Sequence, residues 1–231
     1  MNCAECPVRD AAECHALHQQ DPEAFAVLAR ARVTAPAASL ILRAGESASR
    51  VFTLYEGWAF RFTLMSDGRR QILGFLLPGD MISLRGLFRR MTFSVQALSD
   101  VRLCAFDAED FREAIKSSPL RERLVQRLIL DAAAADAQVA VLGRRTALQR
   151  IVHLILDLDG RLKNRGLAGG DDDDMELPLR QNHIGDALGL SRVHVSRTLA
   201  VLRDRGAIAL GRSGIVLNDR ATLRGLAGEV F

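Results

Sequence analysis

The spacing of apolar positions changes character along this chain. From about Ser39 to Phe106, short apolar runs (SLILRAGE, RVFTLYEGWAFRFTL, SDGRRQILGFLLPGD, FSVQALSDVRLCAF) alternate with turn residues. Gly45, Gly57, Asp67-Gly68 and Pro78-Gly79-Asp80 punctuate them, and Asp-Gly between strand-like runs is a strong hairpin signal. Many short strands at this spacing predict a small all-β barrel or jelly roll. After Ser117-Ser118-Pro119 the period lengthens. Leu120, Leu124, Leu128, Ala132, Ala135, Val139 and Leu142 step by three and four, which predicts one apolar stripe on a long helix. About two dozen residues at ~1.5 Å each make a rod of roughly 36 Å. A second helix, Thr146 to about Asn164, repeats the pattern at Ile151, Leu154, Ile155 and Leu158. Ahead of the strands, Asp21-Pro22-Glu23 has the form of a helix start, with the helix running through Phe25, Leu28 and Ala29.

The last third carries a more specific pattern. A short helix over Gln181–Leu188 places Ile184 and Leu188 at i, i+4, and Gly189 follows where a tight turn needs a residue without Cβ. Ser191 is a good N-cap for a second helix, from about Arg192 to Arg205, whose inward stripe is Val195, Leu199 and Leu202. That is a helix-turn-helix. The stretch AIALGRSGIVLND then predicts a β-hairpin wing with Ser213-Gly214 at its tip. The major groove admits a helix, Arg grips guanine with two hydrogen bonds, and Ser or His can donate or accept at base edges. The expected DNA-facing set is Gln181, Ser191, Arg192, Val193, His194, Ser196, Arg197 and Arg203. The clustering of Arg and Ser at the start of the second helix favours this over a plain helical surface.

Charge sharpens the picture only locally. The net charge of +3 says little, but Arg180–Phe231 holds eight Arg against Asp186, Asp204, Asp219 and Glu229, a surplus suited to phosphates. The acidic run Asp171–Asp174 before it reads as a solvated linker. The length of 231 residues allows one or two domains, and 48% hydrophobic with 26% charged residues is ordinary for a globular protein. No stretch approaches the apolar length of a membrane span, and no export signal is evident, so a cytoplasmic protein with no membrane partner is expected. No nucleophile–base arrangement, phosphate-binding glycine loop or thioredoxin-like context appears, which argues against an enzyme. The striped helix suits either an interdomain spacer or a dimer seam. Its Leu and Ala content favours a homodimer through Leu124, Leu128, Asp131, Ala135, Asp136, Val139 and Leu142. Asp131 and Asp136 interrupt it; bordering a two-fold seam, they would oppose like charges.

The four cysteines are distributed three and one: Cys3, Cys6 and Cys14 in MNCAECPVRDAAEC, and Cys104 in VRLCAF. In a reducing compartment this points to a metal site rather than disulfides. Four thiolates suit a 4Fe–4S cluster or a tetrahedral Zn, and spacing alone does not separate them; Cys3-x-x-Cys6 is also a candidate dithiol pair. His15 and His18 are alternative ligands made unnecessary by four thiols, and His153 on the second helix is read as structural.

In the order of its parts the chain resembles the Crp/Fnr superfamily of transcription regulators, and within it the Fnr-type iron–sulfur oxygen sensors. QALSDVRLC places Cys104 at the spacing of that branch's β-roll ligand, and Cys3, Cys6 and Cys14 resemble its three-cysteine cluster, with a longer second gap. The resemblance implies an α+β fold: a cluster-binding segment (1–20), a jelly-roll-like β-roll sensor domain (21–116), a dimerisation helix (117–145) and a winged helix-turn-helix (146–231). It implies a 4Fe–4S cluster held by the four cysteines, with Zn as the alternative. It also implies a homodimer on palindromic double-stranded DNA, RNA polymerase as a partner, and control of low-oxygen metabolism. Two departures stand out. Val193 occupies the place of Glu in the branch's E-x-x-S-R, so a cytosine contact gives way to at most a thymine-methyl contact. Met91-Thr92 replaces the Arg-Ser pair that holds phosphate in cyclic nucleotide members, so a cyclic nucleotide ligand is not expected.

Overall fold

The computed structural model describes residues 6–20, 25, 31–116, 118–167, 175–212 and 214–228. Cys3, most of the helix expected from Asp21, the acidic run Asp171–Asp174 and Ser213 at the wing tip lie outside the described residues. The chain divides into two compact units, residues 1–132 and 133–231. The boundary falls inside the long helix rather than at its ends.

In the first unit, β1 (Ala31–Ala35), β2 (Leu40–Leu42), β3 (Arg50–Glu56), β4 (Ala59–Leu64), β5 (Arg70–Leu76), β6 (Met81–Ile82), β7 (Ser94–Ala97) and β8 (Val101–Asp107) form two antiparallel sheets. Their orders are β1-β8-β3-β6 and β2-β7-β4-β5. The Asp67-Gly68 turn joins β4 to β5, and the Asp67 carboxylate accepts from the Arg69 amide at 3.0 Å and its Nε at 2.7 Å. Alternation along a strand sends successive side chains to opposite faces. Val101, Leu103 and Ala105 of β8 therefore enter the interior with Phe52, Leu54 and Val95. Phe106 points the other way, joining Val51 and Phe25 on the outer face of the first sheet.

Helical segments cover that outer face. A short α1 (His15–Gln20) precedes the strands, and α2 (Ala108–Ala114) follows them, its N-terminus capped by the Asp107 carboxylate accepting from the Glu109 and Asp110 amides. The long helix α3 spans Ser118–Arg144. Its first turns are spent inside this unit, because Leu120 and Leu124 join Phe106 and Phe111 in one buried cluster. Leu124, expected at a dimer seam, is thus committed to its own chain at 7% exposure. Leu128, Ala135, Asp136 and Val139 are exposed; Asp131 and Leu142 are half-buried.

The second unit continues with α4 (Ala147–Lys163), β9 (Met175–Leu177), α5 (Gln181–Leu188), α6 (Arg192–Asp204), β10 (Ile208–Leu210), β11 (Ile215–Leu217) and α7 (Arg220–Ala227). Thr146 caps α4 in a reciprocal box with Gln149. Ile151, Ile155 and Leu158 are fully buried on its inner face. Burial holds the half-buried His153 imidazole below its ordinary pKa, in keeping with a structural role. The Asp159 carboxylate accepts from Arg220 at 3.0–3.2 Å, both side chains nearly inaccessible, and joins α4 to α7. The wing hairpin is present, but β9 adds a third strand against β11. A three-residue strand beside a Gly/Asp loop is too short to show a period, so the sequence alone did not reveal it.

Candidate functional site

The face expected to read DNA is built by α5, α6 and the wing. Gly189 ends α5 in the left-handed region, at φ 64°, and turns the chain into Ser191. The Ser191 hydroxyl accepts from the His194 amide at 3.3 Å and lies 3.1 Å from His194 Nδ1. Val195, Leu199 and Leu202 are buried, which leaves Arg192, Val193, His194, Ser196, Arg197 and Arg203 exposed along the opposite side of α6. Arg203 is paired with Asp204 at 3.1 Å, so its charge is partly committed. Gln181 is half-buried at the start of α5. A shallow depression beside it is lined by Arg180, Gln181, Arg212 and Gly214. Arg180 and Arg212 were not in the expected set, although the arginine surplus includes them; the fold of the wing is what brings them to Gln181.

A second constellation lies in the first unit, around Cys104. On β8, Cys104 stands opposite Arg32 of β1 on one side and Thr53 of β3 on the other. Directly opposed residues of an antiparallel pair share a sheet face. Arg32, Cys104 and Thr53 therefore form a row across the outer face. Cys14 and Cys104 are both partly buried against the cluster of Phe25, Val51 and Phe106. Cys6 is also half-buried, and its carbonyl accepts from the Arg9 amide at 3.1 Å. Among the described residues no three His, Cys, Asp or Glu side chains converge as a metal site. The fold therefore brings Cys14 and Cys104 to one cluster without gathering Cys6 into a common coordination sphere.

The surroundings of these thiols suit a group with anionic sulfur ligands. Thr53 is only 2% exposed, and its hydroxyl has no hydrogen-bond partner among the described residues. A buried polar group left so is costly unless something occupies the position. Arg32 places positive charge beside Cys104. Burial, and then Arg9, hold the His15 imidazole below its ordinary pKa, and its Nδ1 is buried and unpartnered among the described residues. His18 lies 5.6 Å ring to ring from Phe25, and Phe25 5.7 Å from Phe106, so the histidine ring extends the aromatic cover.

The cysteine-bearing segment is fastened down independently of its thiols. Val8 and Ala12 are buried at 2% and 1% exposure. Gly79 has φ 100°, and a Cβ there would stand 3.2 Å from the Ala11 methyl and 3.3 Å from its carbonyl oxygen. The β5–β6 turn is thus closely covered. Arg127 of α3 reaches Glu13 at 3.4 Å, Asp80 at 2.9 Å and Asp131 at 3.0 Å. Burial lowers the Arg127 pKa, but Asp80, Glu13 and Asp131 more than offset this and its pKa is raised overall. In the β-roll interior, Met91 is 2% exposed and offers an apolar side chain where the resemblance would place a phosphate-binding arginine.

A β-roll followed by a winged helix-turn-helix with an arginine-bearing recognition face defines a DNA-binding transcription regulator. Residues 32–118 match the cyclic nucleotide-binding domain, and residues 149–226 the Crp-like helix-turn-helix domain. The chain is 33% identical to the nitrogen fixation regulation protein FixK of Bradyrhizobium diazoefficiens, over 97% of this chain and 93% of that protein. It is 31% identical to the transcriptional activator protein FnrL of Cereibacter sphaeroides, over 98% and 92%. The structure of FixK2 from Bradyrhizobium japonicum superposes with a TM-score of 0.76 at 28% identity, covering 87% of this chain and 98% of the other. The chain belongs to the Crp/Fnr family, whose members are transcription regulators rather than enzymes. No described helix is long and apolar enough to cross a membrane.

Proposed function

We propose that this chain is an oxygen- or redox-responsive regulator that dimerises through α3, reads a palindromic operator with α6 and controls genes of low-oxygen metabolism. The observation that carries this reading is the packing of Cys14 and Cys104, ninety residues apart in sequence, against one buried cluster, with an unsatisfied buried hydroxyl opposite Cys104. In this reading Cys3, Cys6, Cys14 and Cys104 hold a 4Fe–4S cluster. When bound, the cluster supplies redox chemistry sensitive to its surroundings. Arg32 and Thr53 flank Cys104 across the sheet, so the arginine would offset anionic charge there and the buried hydroxyl would be the nearest neutral donor on that strand pair. The buried Val8 and Ala12 tie down the segment that carries Cys6 and Cys14, which leaves the thiols partly shielded. Dimerisation through the exposed part of α3 would set two α6 helices about 34 Å apart, one turn of DNA. The names of the relatives support the theme, since FixK is a regulator of nitrogen fixation and FnrL a transcriptional activator. An activating role would make RNA polymerase a partner.

Anaerobic purification with iron, acid-labile sulfide and zinc counts tests this. About four iron and four sulfide per chain, with absorbance near ~400 nm that bleaches in air, is the expected result. One zinc and no sulfide would replace it with a regulator whose cysteines hold Zn and whose signal lies elsewhere. Cys104→Ser is expected to abolish the absorbance while circular dichroism remains that of the folded chain. Full absorbance in that variant would remove Cys104 from the ligands.

A further inference from the structure

We propose that Arg127 is a positioning residue that couples the cysteine-bearing segment to the long helix. Three parts of the first unit meet at its guanidinium. Glu13 comes from the segment and is the immediate neighbour of Cys14; Asp80 comes from the β5–β6 turn; Asp131 lies one turn further along α3. The Asp80 carboxylate is 1% exposed and already accepts from the Leu77 amide at 2.8 Å through its other oxygen, so it is a fixed anchor rather than a mobile surface acid. Glu13 is also largely shielded, with 11% of its side chain exposed. Ion pairs with this little water are screened weakly and depend steeply on geometry.

Arg127 lies on the same helix as Leu124, which is locked into the β-roll cluster, and as Leu128, which is exposed. It therefore sits where α3 passes from intramolecular packing to the exposed stripe. A shift of the segment that withdraws Glu13 removes one of the three carboxylates holding this turn of the helix. In the other direction, a rotation of α3 that carries Arg127 away releases the segment at the residue next to Cys14. Such a coupling is reciprocal. It rests on the reading of the cysteines as sensor thiols, but the clamp itself is testable in the metal-free, reduced full-length chain.

Cys14 is made the sole thiol by replacing Cys3, Cys6 and Cys104 with Ser, and its rate of alkylation by a maleimide is measured. Helix order is read in parallel from amide hydrogen exchange over residues 126–132. Arg127→Gln is expected to raise the alkylation rate about tenfold, with Arg127→Lys recovering part of the protection. Because Arg127→Gln leaves Asp80 without its guanidinium and could loosen the whole unit, Glu13→Gln is the decisive variant: it removes the charge on the segment while Arg127 keeps Asp80 and Asp131. Glu13→Gln is expected to raise alkylation and to speed exchange in residues 126–132, and the double variant to add little to Arg127→Gln alone. Unchanged alkylation in Glu13→Gln, or faster alkylation with unchanged exchange, would overturn the coupling. Absence of iron and sulfide from the purified protein would instead overturn the sensor reading while leaving the clamp measurable.

Discussion

Asp159 and Arg220 illustrate how much of this molecule is decided by single buried residues. Each is 4% exposed, and their carboxylate–guanidinium contact joins two helices of the DNA-binding unit. Removing one partner of such a pair leaves a desolvated charge behind, at a cost of about 3–5 kcal/mol. Lys163, 3.3 Å from Asp159, keeps part of that compensation. Arg220→Met is therefore expected to destabilise the unit by about 3 kcal/mol, read as a lowered urea midpoint by circular dichroism. A change within 0.5 kcal/mol would mean that Lys163 alone satisfies Asp159. Both residues carry ordinary charges at unremarkable places in the sequence, 61 positions apart, and nothing local announces their pairing. Cys104 is the opposite case. Its residue type and its strand were readable, yet its flanking by Arg32 and Thr53 follows only from strand register.

At the level of elements, the helices of the DNA-binding unit were the most legible part of the chain. The segments α5 and α6 begin and end where Gln181, Leu188, Ser191 and Arg205 predicted, because caps and a 3.6-residue stripe are local signals. The exposure of Arg197 on α6 follows directly from the burial of Val195 and Leu199 on either side of it. Arg197→Ala is expected to weaken operator binding by about 1–3 kcal/mol and to relax preference at one base pair, measured by competition binding across single-base operator variants. A uniform loss across all variants would make Arg197 a phosphate contact. Val193, exposed at 57%, stands on the same face and gives that element an apolar probe where the family's branch has a carboxylate.

For the whole molecule, the decisive surface is the exposed part of α3. Leu128, Ile129, Leu130 and Val139 are between 52% and 71% exposed, an unusual concentration of large apolar side chains on one helix. A second copy covering them accounts for that exposure in the proposed dimer. Asp131 accepts from Arg127 at 3.0 Å, so its charge is offset within the chain, whereas Asp136 is exposed beside the stripe. Like charges meeting at Asp136 would hold the dimer near balance. Asp136→Ala is expected to raise the dimer fraction in air at least threefold by sedimentation velocity, and Val139→Glu to abolish it. No movement of the monomer–dimer equilibrium in either variant would place the seam elsewhere.

What the chain's order of residues determined by itself is most of the set of parts, the short α1, α2 and α7 excepted: strands from turn chemistry and alternation, the longer helices from stripe and cap, and a reading helix from arginine and serine placement. These depend on interactions within a few residues, and so they survive without knowledge of the rest. Tertiary structure alone decided which parts share a face. Leu124 fits a seam stripe by spacing but packs into the cluster on the outer face of the first sheet, because that face needed covering. Strand β9, too short for any period, exists only because β11 offers an edge. Arg127 finds Glu13 from 114 positions away and Asp80 from 47, and Cys14 and Cys104 pack against the same buried cluster. Such pairings arise from strand register and helix docking, which are settled by burial over the whole unit and leave no trace in local spacing.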